Sequence, residues 1–496
     1  MASTSTRAEK WPVVGAAAVV VLASLVALGR SYQSLADLNR VQNADLLYLP
    51  ALLSDLFGGG SLRDWILTPS PYFFPDLATQ ALLQPFSSYP QVSTAAVMVL
   101  QPLAGVVLVA GLFRSVSAPG VGWFGLLLAC LILGFANRWS DVAQPFLVLS
   151  YHGGQAVLGM GCLWLALSTR RRAFAWLCGF SLLGALSDPI FVVSWAAPSL
   201  ILIFGTRPSW SARASHAAAL CLANGLGLVA RSWLPLSPQL GGLINLERTR
   251  SAWAIYSQSI SSTASLIMIG AWAASFFALF LVWKNARQRL LVLALLASIV
   301  ATLLGLLMIG APTRLPDARY LSGHTLALLS ATALALGSTT SRSLVVFLGT
   351  LFTLFAGIGA WRALGTADFR LRPAPVACID AARERLKFDR CVAGYWASKP
   401  LMTLANPPLV AMQVKPDGTP DWFISTRRHF PVPVDVDCAV FPDGEVARFI
   451  SLYGAGSFQE RCDGFTLLVY QGDQKAALNA ALRPRLDQPA IPSPFF

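Results

Sequence analysis

The chain has 496 residues, of which 55% are hydrophobic and only 12% charged, and it carries a formal net charge of +13. About a quarter of the residues are charged in an ordinary soluble domain, so this composition excludes that class and points to a bilayer. Many of the basic residues stand in short links between apolar runs, where they orient a polytopic membrane protein. Nucleic acid is therefore excluded as a partner.

Residues 1–10 form a short polar tail with Arg7 and Lys10. Residues 11–29 are apolar over the length that a bilayer crossing needs. A cleaved signal peptide has a shorter core, about 7–15 residues, so the reading here is an uncleaved helix with its N-terminus in the cytoplasm. The loop 30–91 follows, with Asp45, Asp55, Asp64, Asp76 and the aromatic-proline knot Pro69-Ser70-Pro71-Tyr72-Phe73-Phe74-Pro75. Within it Leu46 to Phe57 reads as an amphipathic helix lying in the membrane interface, and Asp76 as the cap of the next helix. Tyr72, Phe73 and Phe74 read as an aromatic ledge for stacking or as anchors in the interface.

Further apolar spans are expected at about 92–113, 120–137, 152–168, 174–187, 189–205, 215–234, 263–283, 290–310, 323–337 and 343–361. Arg138 to Tyr151, with Asp141 and Pro145, reads as a short re-entrant or interfacial helix, and Asp188-Pro189 as a helix end rather than a site. The sum is about eleven spans. With the N-terminus inside, Arg114, Arg170 to Arg172, Arg207 with Arg213, Lys284 with Arg287 and Arg289, and Arg342 all fall in cytoplasmic links. An odd number of crossings then sends residues 362–496 outside.

That tail alternates strand-like runs (Leu409 to Val414, Val434 to Val440, Phe465 to Tyr470) with the turn signals Pro416-Asp417-Gly418 and Pro442-Asp443-Gly444. It reads as a small α/β or mostly β domain. Cys130, Cys162, Cys178 and Cys221 lie in apolar spans as small hydrophobes. Cys378, Cys391, Cys438 and Cys462 lie in the tail, where an outside location allows disulfides. Proximity in the chain favours Cys378–Cys391 and Cys438–Cys462, and the absence of CxxC spacing disfavours zinc. The fold class expected is thus mainly α. A transmembrane bundle would occupy 1–361, with 30–91 as its first outer loop, and a small extracytoplasmic domain 362–496.

The spans are nearly free of charge, which places chemistry at the membrane surface rather than along a conduction path. Asp45 is the candidate general base; it also suits the start of a helix, where acids are favoured. Arg314, Arg319 and Tyr320, with Asp317 among them, stand in an outer link against the positive-inside bias and are candidates for binding a phosphate. Arg231, Arg248 and Arg250 are candidates of the same kind. Asp76, Tyr72, His152 and His324 are candidate substrate contacts; His152 also reads as a structural histidine beside glycines that permit close approach. No Walker-type glycine loop, HExxH or nucleophile elbow is present.

The plan of many spans, a long first loop with an acid soon after the first helix (Asn43-Ala44-Asp45) and an outer C-terminal domain resembles the GT-C superfamily of polytopic glycosyltransferases. The resemblance implies a polyprenyl-phosphate-linked sugar as donor. It also implies a lipid, glycan or protein hydroxyl as acceptor, and inversion at the anomeric carbon. It assigns the first-loop carboxylate, here Asp45, to catalysis or to a divalent metal; no other cofactor is expected. Asp45 departs from the pattern in lacking an adjacent second acid. A bacterial inner membrane with a periplasmic C-terminal domain fits, and an endoplasmic-reticulum membrane satisfies the same topology. Two other classes meet the same composition: a flippase or transporter of lipid-linked glycans, and a non-catalytic envelope-assembly protein.

Overall fold

A computed structural model describes residues 10–30, 42–86, 89–139, 142–237, 247, 249–251, 253–254, 273–282, 285–308, 320–339, 341–366, 372–430 and 434–486. Helix α1 (Lys10–Gly29) is followed by a loop that contains α2 (Ala44–Phe57), the two-residue strand β1 (Trp65–Ile66) and the short α3 (Ala78–Leu83). The bundle continues with α4 (Pro90–Ser115), α5 (Val121–Ala136), α6 (Gly153–Leu167), α7 (Arg171–Ser187), α8 (Ala197–Thr206) and α9 (Trp210–Ser232). Helices α10 (Ala286–Met308), α11 (Ser322–Ser338) and α12 (Arg342–Leu364) complete it. A helix stands at each expected span; of 263–283 only 273–282 is described, and 273–281 of it is helical.

Four helices among the described residues are long and apolar enough to cross a membrane: Pro12–Gly29, Pro90–Ser115, Ala286–Leu307 and Arg342–Leu364. Shorter apolar helices occupy Val121–Ala136, Gly153–Leu167 and Val192–Thr206. Helix α12 shows why the environment must be lipid. Phe347 is 63% and Trp361 80% exposed to whatever surrounds the protein, and Leu351, Leu354 and Ile358 share that outward surface. A helix so apolar and so little covered by its own chain is stable only where hydrocarbon covers it. The protein is therefore an integral membrane protein. Close approach inside the bundle depends on small residues: a Cβ on Gly125 of α5 would lie 2.5 Å from the Ala16 side chain of α1.

The C-terminal region begins with α13 (Ala374–Leu386) and runs through β2 (Arg390–Ala393), α14 (Tyr395–Leu404), β3 (Val410–Gln413) and β4 (Ser425–Thr426). It ends with β5 (Cys438–Pro442), α15 (Asp443–Tyr453), β6 (Phe458–Cys462), β7 (Phe465–Val469) and α16 (Gly472–Leu486). Five strands form one sheet in the order β3-β2-β5-β7-β6. Strand β2 runs parallel to β3 and β5, and β7 runs antiparallel to β5 and β6. One face is covered by Val376 and Ile379 of α13 and Leu401 and Leu404 of α14. The other is covered by Phe449 of α15 and Leu478 and Leu482 of α16. Strands with helices on both faces make an α/β layer, which decides between the two readings of the tail.

Three local expectations change. Pro442-Asp443-Gly444 does not turn the chain between strands but opens α15, with Asp443 and Glu445 in its first turn, where the helix dipole favours acids. Leu46 to Phe57 does form a helix, but one buried on most of its surface: Leu47 enters the sheet domain's core and Tyr48, Leu49 and Leu52 a second cluster. The cysteines pair as Cys378–Cys462 and Cys391–Cys438, not by nearness in sequence. Cys391 and Cys438 are register partners on neighbouring strands, 4.4 Å apart at Cα, and Cys378 on α13 lies over the end of β6 that carries Cys462.

Because the Cys391–Cys438 link closes 47 residues of chain, loop entropy gives it a stabilising value of about 4 kcal/mol. Peptide mapping without reductant should recover the 378–462 and 391–438 cross-links and no 378–391 peptide, and Cys391→Ser should lower the thermal midpoint of the whole chain.

Candidate functional site

The first loop crosses between the helical bundle and the sheet domain, and each end of it carries a carboxylate. Asn43 caps α2: its side chain accepts from the Leu46 N–H at 3.1 Å and donates to the Tyr151 hydroxyl at 2.7 Å. Asp45 thereby falls in the first turn of α2, where the dipole stabilises its charge. Its carboxylate is only partly buried and accepts a hydrogen bond from the Tyr395 hydroxyl of α14. Tyr48, one turn on, is fully buried and donates to the Pro71 carbonyl. Burial pushes its phenol well above the usual range, and the nearby Asp76 and Asp45 add to the shift.

A second group gathers where the first loop meets α6, α7 and α11. His152, the residue before α6, holds Asp188 through Nδ1 and the Tyr72 hydroxyl through Nε2, the latter at 2.8 Å. A carboxylate can only accept, so Nδ1 carries the proton; in the neutral ring Nε2 then accepts from Tyr72. Ser70 Oγ donates to the other Asp188 oxygen at 3.2 Å, and Ser322 of α11 donates to the His152 carbonyl at 3.0 Å. The Tyr320 ring lies 4.9 Å from the imidazole, centroid to centroid. Asp76 approaches from the loop and accepts from the Ser150 N–H at 3.1 Å through Oδ1, while its Oδ2 is buried without a partner among the described residues. Arg231, at the end of α9, donates to the Pro69 carbonyl and lies near enough to feel Asp188.

Backbone strain marks the same place. Tyr72 (φ 53°), Ser150 (φ 65°) and His152 (φ 64°) are all left-handed without being glycine. Such residues cost about 1–3 kcal/mol each and persist where the surrounding structure over-determines them, which is commonest at functional sites. The glycines after His152 make the room: a Cβ on Gly154 would stand 2.7 Å from Asp76 Oδ2, and one on Gly153 1.6 Å from the Pro145 carbonyl oxygen.

Several sequence expectations take a different form here. Asp76 does not cap a helix; it sits inside the tight turn Phe73–Leu77, which swings its carboxylate toward Ser150. Tyr72 is no outward ledge but is 6% exposed and bonded to His152. Asp188 does end α7, yet its side chain belongs to the cluster. Tyr320 and His152 come together, and His324 is buried at the start of α11. Arg250 is exposed; Arg248, Arg314, Arg319, Asp141 and Asp317 lie outside the described residues. No three of His, Cys, Asp and Glu among the described residues are grouped to hold a metal ion.

The sheet domain meets the loop through a separate set of contacts. Strands β1 and β4 pair antiparallel, Trp65 opposite Thr426. Asp55 of α2 accepts from Trp65 Nε1 at 2.7 Å and from Arg428 at 2.9 Å. Lys399 is buried over the Trp65 ring and donates to Gln413 Oε1 at 2.9 Å; burial lowers its ammonium to about 7. A cavity of about 290 Å³ opens beside Asp55, Arg428 and His429, but its two charges already neutralise one another.

No family model and no curated protein matches the chain. Among solved structures it is similar to the arabinofuranosyltransferase AftD from Mycobacteria, determined by single-particle electron cryomicroscopy. The identity is 14%, over 94% of this chain and 40% of that one, with a TM-score of 0.48. A mutant form of the same enzyme gives 13% identity over 89% and 38% of the two chains, also at 0.48. The chain thus spans about two-fifths of the length of those structures.

Tyr395, Asp188, Ser70, Ser322 and Tyr151 are polar residues of the site that the linear reading did not assign to it. Only Asp188 carried a signal, as an acid within an otherwise apolar stretch.

Burial raises the Asp76 carboxyl to about 7, partly countered by the Ser150 N–H and reinforced by Asp188. A carboxyl raised in the folded state contributes stability that is complete below the ordinary carboxylate range and lost as pH rises through 7. The share of the thermal midpoint that Asp76 supplies should therefore fall between about pH 4 and 7. Asp76→Asn, which keeps an oxygen for Ser150, should flatten that fall; an unchanged slope would show that another group sets it.

Proposed function

We propose that the chain is a membrane glycosyltransferase that moves a sugar from a polyprenyl-phosphate donor to an acceptor hydroxyl at the outer face of the membrane. The observation that carries the reading is Asp45. It is a partly exposed carboxylate set at a helix N-terminus by Asn43, one turn from Tyr48, whose hydroxyl bonds to the Pro71 carbonyl next to Tyr72 of the strained Tyr72–His152–Asp188 cluster. In this reading the bundle has about eleven crossings with a cytoplasmic N-terminus. Residues 362–496 form the periplasmic domain of a bacterial inner-membrane protein.

A sugar on phosphate already has a good leaving group, so the protein has to orient two substrates, take one proton and accommodate the departing charge. The acceptor oxygen attacks the anomeric carbon from the face opposite the phosphate. As that bond forms, the bond from carbon to phosphate oxygen breaks and the acceptor proton passes to Asp45. Polyprenyl phosphate leaves with its charge. Tyr395 orients the carboxylate, and the Tyr72–His152–Asp188 chain fixes the loop that carries it. Arg231, held against Pro69, is the described cation best placed for the phosphate, and Arg314 and Arg319 are further candidates from the sequence. A positioned general base contributes typically ~10²–10⁴-fold.

In transfer assays with membranes and a labelled polyprenyl-phosphate sugar, Asp45→Asn should lower kcat by roughly 10²-fold or more while the donor KM stays within a few-fold. Turnover at the wild-type rate would remove Asp45 as the base. Arg231→Gln should instead raise the donor KM with a smaller change in kcat.

A further inference from the structure

The sheet domain has a topological switch point that the transfer chemistry has not used. From β2 the chain leaves through α14 to β3 on one side of the sheet, whereas its other parallel neighbour, β5, leaves through α15 toward the opposite edge. Where connections part in this way, a crevice opens outside the carboxyl ends of the strands, and open α/β sheets bind ligands there. Gly394 sits at that point. A Cβ on it would lie 3.1 Å from the Phe441 ring and 3.4 Å from Glu445 Oε2, so the backbone of one connection passes close against the other.

Aromatic rings gather at this end. Tyr395 is edge-on to Trp396 at 4.9 Å and tilted against Phe423 at 5.4 Å. Trp396 is 38% and Phe423 43% exposed, unusual for large rings packed together. The segment that presents Phe423 is strained: Ile424, fully buried, has φ 50°, a left-handed conformation that a β-branched residue rarely adopts. It is held by Gln413 Nε2, which donates to the Phe423 carbonyl at 2.7 Å, and by Asp421, which accepts from the Phe423 N–H at 3.2 Å. Burial raises the Glu445 carboxyl above its usual range, and the nearby charge of Asp421 adds to the rise. The ledge abuts the first loop, because Tyr395 is also the residue that donates to Asp45.

We propose that the crevice at the carboxyl ends of β2, β3 and β5 binds a neutral oligosaccharide, with Trp396 and Phe423 as stacking faces and Asp421 and Glu445 accepting from its hydroxyls. Ring faces take the C–H side of a sugar, and short carboxylates take its hydroxyls. Saccharide binding stands on this geometry alone; only its naming as the acceptor rests on the transferase reading. One end of a bound chain would then lie by Tyr395, within reach of Asp45.

The experiment is an array of neutral, acidic and basic oligosaccharides probed with the full-length protein in detergent. The variants are Trp396→Ala, Phe423→Ala, Phe423→Tyr and Asp45→Asn, each first shown to keep the wild-type thermal midpoint. The wild type should retain at least one neutral class. The two alanine variants should lose roughly tenfold in affinity, Phe423→Tyr should keep it, and Asp45→Asn should bind while failing to turn over. Retention of no neutral saccharide, or equal retention by both alanine variants, overturns the proposal. So does retention confined to basic glycans and abolished by salt, which would make the ledge a cation cage. Absence of any transfer by the wild type, while the alanine variants lose binding, would sink the transferase reading and leave the saccharide site standing, whereas normal turnover by Asp45→Asn would remove only Asp45 as the base.

Discussion

Residues 42–86 are held on both sides by buried carboxylates, and that double anchorage governs the rest of the molecule. Toward the bundle, Asp76 accepts from Ser150, and the Tyr72 hydroxyl meets His152. Toward the sheet domain, Asp55 takes Trp65 and Arg428, while β1 pairs with β4. Buried carboxylates of this kind are costly to strand, so each contact ties one half of the protein to the other. The segment is less a loop than a wedge whose faces belong to different cores, as Leu46 and Leu47 show by entering the bundle core and the sheet domain's core.

The wedge also explains why ionisable groups collect here in a chain otherwise poor in them. Hydrocarbon around the bundle tolerates few charges, so the polar groups that chemistry needs are concentrated where helices end and the sheet domain covers them. There, hydrogen bonds from serine, tyrosine and backbone donors replace water. The same compression produces the left-handed Tyr72, Ser150 and His152, since three backbones meet within a few ångströms and the glycines at 153 and 154 leave only enough space for a carbonyl and a carboxylate. On the other side of the wedge Lys399 is buried against Trp65 with an amide as its hydrogen-bond partner, which adds a polar contact to the Asp55–Arg428 ion pair.

Much of this was legible from residue order. Apolar length located the helices, and the run of turn and strand signals after residue 372 located the sheet domain. Asn43-Ala44-Asp45 announced a helix start with an acid in its first turn, and α2 begins there. What failed did so for a common reason. Asp76 after Pro75 has the local pattern of a cap, but the turn at Phe73–Leu77 points its carboxylate at a residue 74 positions away. Asp188-Pro189 has the pattern of a helix end and is one, yet its side chain is spent on His152. The cysteines closest in sequence do not pair, because adjacency in a sheet follows strand order rather than chain order.

Local chemistry is written along the chain at the spacing of a few residues, and so the sequence by itself determined the membrane habit, the helices, the oxidised tail and the acidic first loop. Convergence across 80 to 350 positions depends on which surfaces pack, and no periodicity encodes it. Only the tertiary structure decided that Tyr72, His152 and Asp188 form one hydrogen-bonded chain, that Asp45 faces Tyr395 of a distant domain, and that an aromatic ledge stands at the switch point of the sheet. Each of these follows from packing two cores against one wedge.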